Sequence, residues 1–336
     1  MEDTLEAPPV HGPGRAAAPA APAVTAAGYT TRRPTADDAG AVHELISLCD
    51  IQVIGKADMT LDDVADQLND PSFDPAADGW LVHDPSGRLV AWAWACRRGD
   101  GGAVEIDVVV HPAAPELTGR LWDTVLDRAR RIAAGLGHDH AVTDIAMYRE
   151  DSGKRALATA RGFAHATSFI RLRADHGPSL APPEPPPGVT VHRGTTEEVR
   201  RQAHAVEQAG FARHFGFAPK DYDEWHAELG SSAGTDWAQL AVARLDGEPV
   251  AMLLGTDAFA GDENCGYVRR LAVPPAFRGR GLGRFMLRTA FADDVRRGRI
   301  GTYLHVDAGN VTPALDLYLS VGMRQVLAID VWRRTL

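Results

Sequence analysis

Cysteine is scarce in this 336-residue chain, where Cys49, Cys96 and Cys265 stand far apart. No CxxC pair occurs and no Cys/His spacing is of the zinc type. That excludes a disulfide scaffold and a structural zinc site, and no metal is expected. Three scattered thiols fit a reducing compartment, so a cytoplasmic location is expected. Long apolar runs are also missing, and with them a candidate membrane span. Basic charge is in deficit: 35 Lys and Arg face 45 Asp and Glu, a net charge of −10. A broad nucleic-acid footprint is usually basic, so neither nucleic acid nor membrane is an expected partner. A local basic loop is still allowed.

What is present is an ordinary globular composition, 45% hydrophobic and 24% charged, with length enough for two domains. The first residues, "MEDTLEAPPVHGPGRAAAPAAPAV", are rich in Ala and Pro and lack a basic start followed by an apolar core. They read as a disordered tail (1–28) rather than a signal peptide. A second Pro-rich stretch, "ADHGPSLAPPEPPPG", reads as a stiff linker over 174–188.

The segments on either side of that stretch resemble each other. "YTTRRPTADD" begins at Tyr29 and "VTVHRGTTEE" at Val189, 160 residues later. Gly87 in "SGRLVAWAWA" matches Gly247 in "DGEPVAMLLG", and Gly162 in "ARGFA" matches Gly322 in "SVGMR", at the same offset. This predicts a duplicated domain, one copy over 29–173 and the other over 189–336. Each copy reads as a strand, then helical segments (36–49 and 61–69; 196–215 and 220–228). A hairpin follows, turning at "DPSG" or "LDGE", then a strand (103–110; 266–273), a helix, a strand (141–146; 302–307), a short helix and a last strand. The expected class is mixed α/β, each copy a central mixed sheet flanked by helices.

In the second copy "RRLAVPPAFRGRGLGRF" runs a strand into a loop and then a helix. Pro274 and Pro275 stop the strand, and the helix opens near Leu282. A helix start carries unpaired N–H groups and partial positive charge, and glycines let the backbone wrap an anion closely. Arg278, Gly279, Arg280, Gly281, Leu282 and Gly283 therefore form a candidate diphosphate loop. A dinucleotide fingerprint would need glycine where Met286 stands, and the Gly-Lys-Ser/Thr of a P-loop is absent.

The pattern R-x-x-G-x-G between strand and helix resembles the GNAT acetyltransferases, as does "VDAGNVTPALDLYLSVGM" (306–323). The resemblance covers the second copy fully and the first in layout only, the arrangement of the tandem two-domain type. It implies an acetyl-CoA-dependent N-acetyltransferase with a small-molecule primary amine as acceptor, working in the second copy by direct transfer through a tetrahedral intermediate. It implies that a main-chain N–H near Leu271 meets the thioester oxygen, and that Leu271, Ala272 and Val273 pair with the pantetheine arm. Tyr318 stands at the family's general-acid position, and Asn310 at its CoA-contacting asparagine. Thr312 and Pro313 suit a helix start. Tyr318 would then share a face with Ala314, and Leu315 and Leu319 would form the buried stripe.

The base is open. The glutamate that many relatives place on the strand before the loop is replaced here by Tyr267, Arg269 and Arg270. Glu263 and His305 are the candidates, beside a water chain or an already neutral amine. Arg269 is a candidate contact for an acceptor carboxylate. Phe211, Phe215 and Trp225, in the aromatic-rich segment 207–229, are candidate pocket residues. The first copy has Pro115 and Glu116 in its loop, Ala158 at the tyrosine position and Glu150 at the asparagine position. It is expected to do no acetyl transfer. A longer acyl-CoA or a carrier-protein thioester as donor, or a non-enzymatic binding protein, are the alternatives. The chain is expected to be a monomer or homodimer.

Overall fold

The computed structural model describes residues 28–212, 217–231, 235–308 and 314–336. The expected tail lies outside them but for Gly28. In the N-terminal half the elements run β1 (Thr30–Arg32), α1 (Ala39–Ile54), α2 (Leu61–Leu68), α3 (Pro75–Asp78), β2 (Gly79–His83) and β3 (Leu89–Arg98). β4 (Ala103–Val110), α4 (Thr118–Gly135), β5 (Val142–Tyr148), α5 (Ser152–Ala160) and β6 (Ala164–Asp175) complete it. The C-terminal half repeats the order of strands, with its third helix after the hairpin where the first half has α3 before it: β7 (Val189–Arg193), α6 (Glu197–Phe211), α7 (Tyr222–Ser231), β8 (Leu240–Leu245), β9 (Glu248–Thr256) and α8 (Ala260–Glu263). Then come β10 (Cys265–Ala272), α9 (Leu282–Arg296), β11 (Gly301–Asp307), α10 (Ala314–Ser320) and β12 (Arg324–Thr335). The class is mixed α/β, as expected.

Local chemistry starts and stops these pieces. Thr60 and Asp63 form a capping box on α2, and Thr196 accepts from the Val199 N–H at the head of α6. In β3 the alternation puts Ala91, Ala93 and Ala95 against the core under α4, while Trp92, Trp94 and Cys96 face the core under α1 and α2. The strand is buried on both faces, so it reads as an almost unbroken apolar run. β9 does the same between two cores of the C-terminal half.

Among the described residues all twelve strands form one sheet, ordered β1-β2-β3-β4-β5-β12-β6-β11-β10-β9-β8-β7. The last strands are exchanged. β12 pairs antiparallel with β5 from Ile329↔Tyr148 to Thr335↔Val142, and β6 pairs antiparallel with β11 from Gly301↔Asp175 to Asp307↔Phe169. β12 and β6 also pair with each other. The repeat in the sequence does not foretell this, because each copy carries the same strand pattern whichever neighbour accepts it. β6 also runs to Asp175, into the stretch expected as linker. Polar struts cross the seam. Arg333 grips Asp144 through two bonds of 2.6 Å, and buried Asp330 accepts from Arg149 at 2.8 Å and from Ser168 at 2.7 Å.

Because each half supplies the other's missing strand, residues 189–336 expressed alone are expected to lack a cooperative unfolding transition and near-UV circular dichroism. Adding residues 1–188 in trans should restore both. A stable monomeric fragment would show that the exchange is dispensable.

Candidate active site

β10 and β11 run parallel and pair only from Cys265↔Gly301 to Val268↔Leu304, although both strands continue. Beyond that point β10 follows β9 and β11 follows β6. The divergence starts at a bulge on β10: Val268 pairs with Gly255 and Arg270 with Leu254, leaving Arg269 as the extra residue. A bulge bends its strand and re-aims the local side chains. The opened wedge is a cavity of about 710 Å³. Its walls come from Tyr267 to Val273 on one side and Leu304 to Asp307 on the other, with Gly210 and Phe211 of α6, the loop before α9, and Ala314, Leu317 and Tyr318 of α10. Gly210 lets α6 approach β10 closely, since a Cβ there would lie 2.9 Å from that of Ala272.

The loop closes the outer end. Gly279 and Gly281 have φ of +76° and +77°, and an added Cβ would meet nothing within 4 Å at either position. Glycine is therefore required there by backbone conformation alone. Gly281 caps α9, whose first turn leaves N–H groups unpaired at the cavity mouth. Arg278 donates from Nε to the Val273 carbonyl at 2.9 Å and from a terminal nitrogen to the Gly210 carbonyl at 3.0 Å. It braces the loop against β10 and α6 as well as lending charge. Arg280 lies over the Phe277 ring at 5.7 Å and is not among the lining residues, whereas Arg284 is.

Tyr318 is 9% exposed and lines the cavity, and burial pushes its phenol up to about 12. It carries its proton throughout the neutral range. The helix is rotated from the expected face, however: Leu315 is 37% and Leu319 47% exposed, and Ala314, Leu317 and Tyr318 turn inward. Asn310, Thr312, Pro313 and Phe215 lie outside the described residues.

The other expected residues divide. Leu271, Val273, Leu282, Gly283, Arg269 and Phe211 line the cavity, and Ala272 does so while packing on the α6 side of the sheet. Burial lowers the Arg269 pKa, assisted by neighbouring Arg270. Trp225 is 1% exposed in the core, donating to buried Glu207 at 3.0 Å, and it does not line the cavity. Glu207 also receives Arg270, so this cluster ties α6 and α7 to β10.

Glu263 lies outside the cavity. It accepts from Lys56 of the other half at 2.7 Å, from Arg173 at 3.1 Å and from the Tyr303 hydroxyl. Although burial opposes it, these donors hold its carboxyl below the usual range. It is a strut, not a base facing the site. His305 does line the cavity, but both ring nitrogens are engaged. Nε2 lies 2.8 Å from Arg171 Nε, and Nδ1 lies 2.9 Å from the Tyr267 hydroxyl. Burial, with the Arg171 charge, lowers its pKa to about 4. It therefore offers the cavity no lone pair at neutral pH. Tyr267, which no local pattern singles out, joins the site through this contact.

The N-terminal half has its own wedge, where β4 and β5 pair only from Ala103↔Val142 to Glu105↔Asp144. Its cavity, about 830 Å³, is lined by eight carboxylates against three Lys and Arg side chains. Here Glu116 receives the Tyr29 hydroxyl at 2.6 Å instead of facing an anion, and Ala158 is fully buried. His305 lines this second cavity too, beside Arg171, so its ring stands between the two. Among the described residues no His, Cys, Asp and Glu group is arranged to hold a metal, and no helix is long and apolar enough to cross a membrane.

The φ values give a direct test of the loop. Gly279→Ala and Gly281→Ala should each cost about 1–2 kcal/mol, the price of a left-handed backbone for an L-residue, read as a lower urea midpoint. Gly261→Ala, at a site with no such φ and nothing within 4 Å, should not. An unchanged midpoint in both loop variants would refute the conformational assignment.

Residues 202–323 match the model of the Acetyltransferase (GNAT) family. The chain is 30% identical over 250 residues to a mycothiol acetyltransferase of Streptomyces bingchenggensis, covering 71% of this chain and 75% of that one. It is 28% identical over 258 residues to a mycothiol acetyltransferase of Clavibacter michiganensis subsp. michiganensis, covering 76% and 79%. In fold it is similar to a GCN5-related N-acetyltransferase from Sphaerobacter thermophilus, with a TM-score of 0.77 at 21% identity over 91% of this chain and 95% of that one. The chain belongs to the GNAT acetyltransferase family, and it is an N-acetyltransferase.

Proposed function

We propose that the protein transfers an acetyl group from acetyl-CoA to the primary amine of a small molecule, and that the chemistry takes place in the C-terminal half. The observation that carries this reading is the wedge between β10 and β11. One cavity joins a strand without a partner on its open side, a glycine loop at a helix start, and a protonated tyrosine. The N-terminal wedge has the same opening without the loop or the tyrosine, and its carboxylates repel a diphosphate. The name shared by the bacterial relatives supports a small-molecule acceptor.

The residues fit an acyl-CoA substrate in order along the cavity. The loop from Arg278 to Gly283 and the first turn of α9 receive the diphosphate. Leu271 to Val273 accept the pantetheine amides as an added strand would. A main-chain N–H at Leu271, held by the sheet, stabilises the oxygen on which charge develops. As the C–N bond forms and the C–S bond breaks, Tyr318 gives its proton to the departing sulfur. Neither Glu263 nor His305 offers a lone pair here, so the amine reacts as the free base after losing its proton to water.

Four outcomes follow from these roles. Acetyl-CoA should raise the melting temperature of the wild-type protein. Tyr318→Phe should lower kcat by about 10²–10⁴-fold, the usual contribution of a general acid, with the KM for acetyl-CoA unchanged. Glu263→Gln should keep kcat within about threefold. For any accepted amine, kcat/KM should rise with pH along that amine's own ammonium titration. It should show no further loss at alkaline pH until near 12, where Tyr318 ionises. No thermal shift at millimolar acetyl-CoA would sink the reading, and a full-rate Tyr318→Phe variant would remove the acid assignment.

A further inference from the structure

A chain of polar contacts runs from the N-terminal half to the inner end of the catalytic cavity. Asp58, in the loop between α1 and α2, pairs through both oxygens with Arg171 of β6, at 2.9 Å for one of the contacts. Both side chains are almost fully buried, and the guanidinium lies 4.9 Å from the Phe259 ring centre. Arg171 Nε then meets His305 Nε2, and His305 Nδ1 meets the Tyr267 hydroxyl.

The chemistry of these groups fixes the protons. A guanidinium only donates, so His305 Nε2 must accept. A neutral imidazole holds one proton, which is then on Nδ1. That N–H is donated to the Tyr267 oxygen, so the phenolic hydrogen must point elsewhere, and Tyr267 lines the cavity. Burial raises the Tyr267 pKa, so the group is a donor and not a base. Tyr267 lies three ladder positions before Leu271, because the bulge takes up Arg269, about 10 Å of strand, which separates it from the thioester and puts it at the acceptor end. An attacking nitrogen must keep its lone pair, so the group that receives this hydrogen bond is an oxygen.

We propose, building on the acetyl-transfer reading, that Tyr267 donates a hydrogen bond to an oxygen of the acceptor, and that Asp58 and Arg171 are positioning residues that hold it so through His305. The acceptor class is an amine bearing hydroxyl or carbonyl oxygen. The charged and titratable groups around His305 are Tyr267 and Arg269 on β10, Arg171 on β6, Asp58 with Tyr148 and Asp50 behind it, and Asp307 on its own strand. The N-terminal half thereby sets a proton position in the other half.

Two measurements test this. In ¹⁵N-histidine-labelled protein, with His305 assigned by comparison with His305→Gln, Nδ1 should be protonated and Nε2 bare from pH 5 to 9. The double variant Asp58→Leu/Arg171→Met removes the buried pair as a unit, which proteins often tolerate, and should free the ring to change tautomer or titrate. Asp58→Asn/Arg171→Gln keeps an amide donor and should preserve the wild-type pattern. The second measurement compares serinol with 3-aminopentane, which matches it in shape without the hydroxyls, with kcat/KM expressed per free amine because the hydroxyls lower serinol's ammonium pKa. Wild-type kcat/KM should favour serinol by about tenfold or more, as expected where a site donates to a substrate oxygen. Tyr267→Phe should erase the preference by raising the KM for serinol, with the KM for acetyl-CoA unchanged. This single variant keeps the test decisive if the double variant does not fold. An Nε2-protonated or titrating His305 in the wild type overturns the proposal. So does equal acylation, or acylation of neither amine, by protein that binds acetyl-CoA. Failure to bind acetyl-CoA would instead remove the acetyl-transfer reading beneath it.

Discussion

Beyond the Val268–Leu304 pair, β10 and β11 no longer bond to each other, and the site depends on that parting. A sheet that gives up ladder bonds leaves polar backbone groups in need of partners. Here the loss is local and bounded. β10 stays paired with β9 past the bulge at Arg269, and β11 stays paired with β6 to its last residue. The wedge therefore exposes one edge of each strand while the other edge is held. Open backbone beside a rigid neighbour is what an extended, amide-bearing substrate arm can use. The loop and Tyr318 then stand at the two places where such an arm would need charge and a proton.

The exchange of β6 and β12 is what holds the second side of the wedge. β11 can leave β10 because β6, from the N-terminal half, is beside it over its whole length. In return β12 completes the sheet next to β5. The N-terminal half thus has a structural part to play although its own wedge lacks the loop and the tyrosine. It supplies a strand, the Lys56 and Arg173 partners of Glu263, and the Arg171–Asp58 pair that faces His305.

Much of this was legible in the sequence where the cause is local. Two prolines, two glycines of special conformation and a helix start all lie within ten residues, so the loop could be read directly. The duplication was legible because turn glycines recur at one offset. The rest depends on contacts between distant residues. Strand exchange leaves the alternation within β6 and β12 unchanged, so no pattern within either strand marks its neighbour. The apolar spacing of Leu315 and Leu319 suggested an inward face, yet α10 is short and its packing is set by Ala314, Leu317 and Tyr318 against the cavity wall. Trp225 is of the residue type that lines pockets, but its indole donates to buried Glu207 in the core. His305 has the right residue type for a base, but burial keeps its ring neutral and Arg171, 134 positions away in the chain, occupies Nε2.

The most direct measurement is calorimetric titration of the full chain with acetyl-CoA, run beside Gly281→Glu, which puts a carboxylate where the diphosphate is to sit. One molecule bound per chain, with binding lost in the variant, is the expected result. Two molecules per chain, or one whose binding survives Gly281→Glu, would contradict the assignment of donor binding to the C-terminal wedge alone.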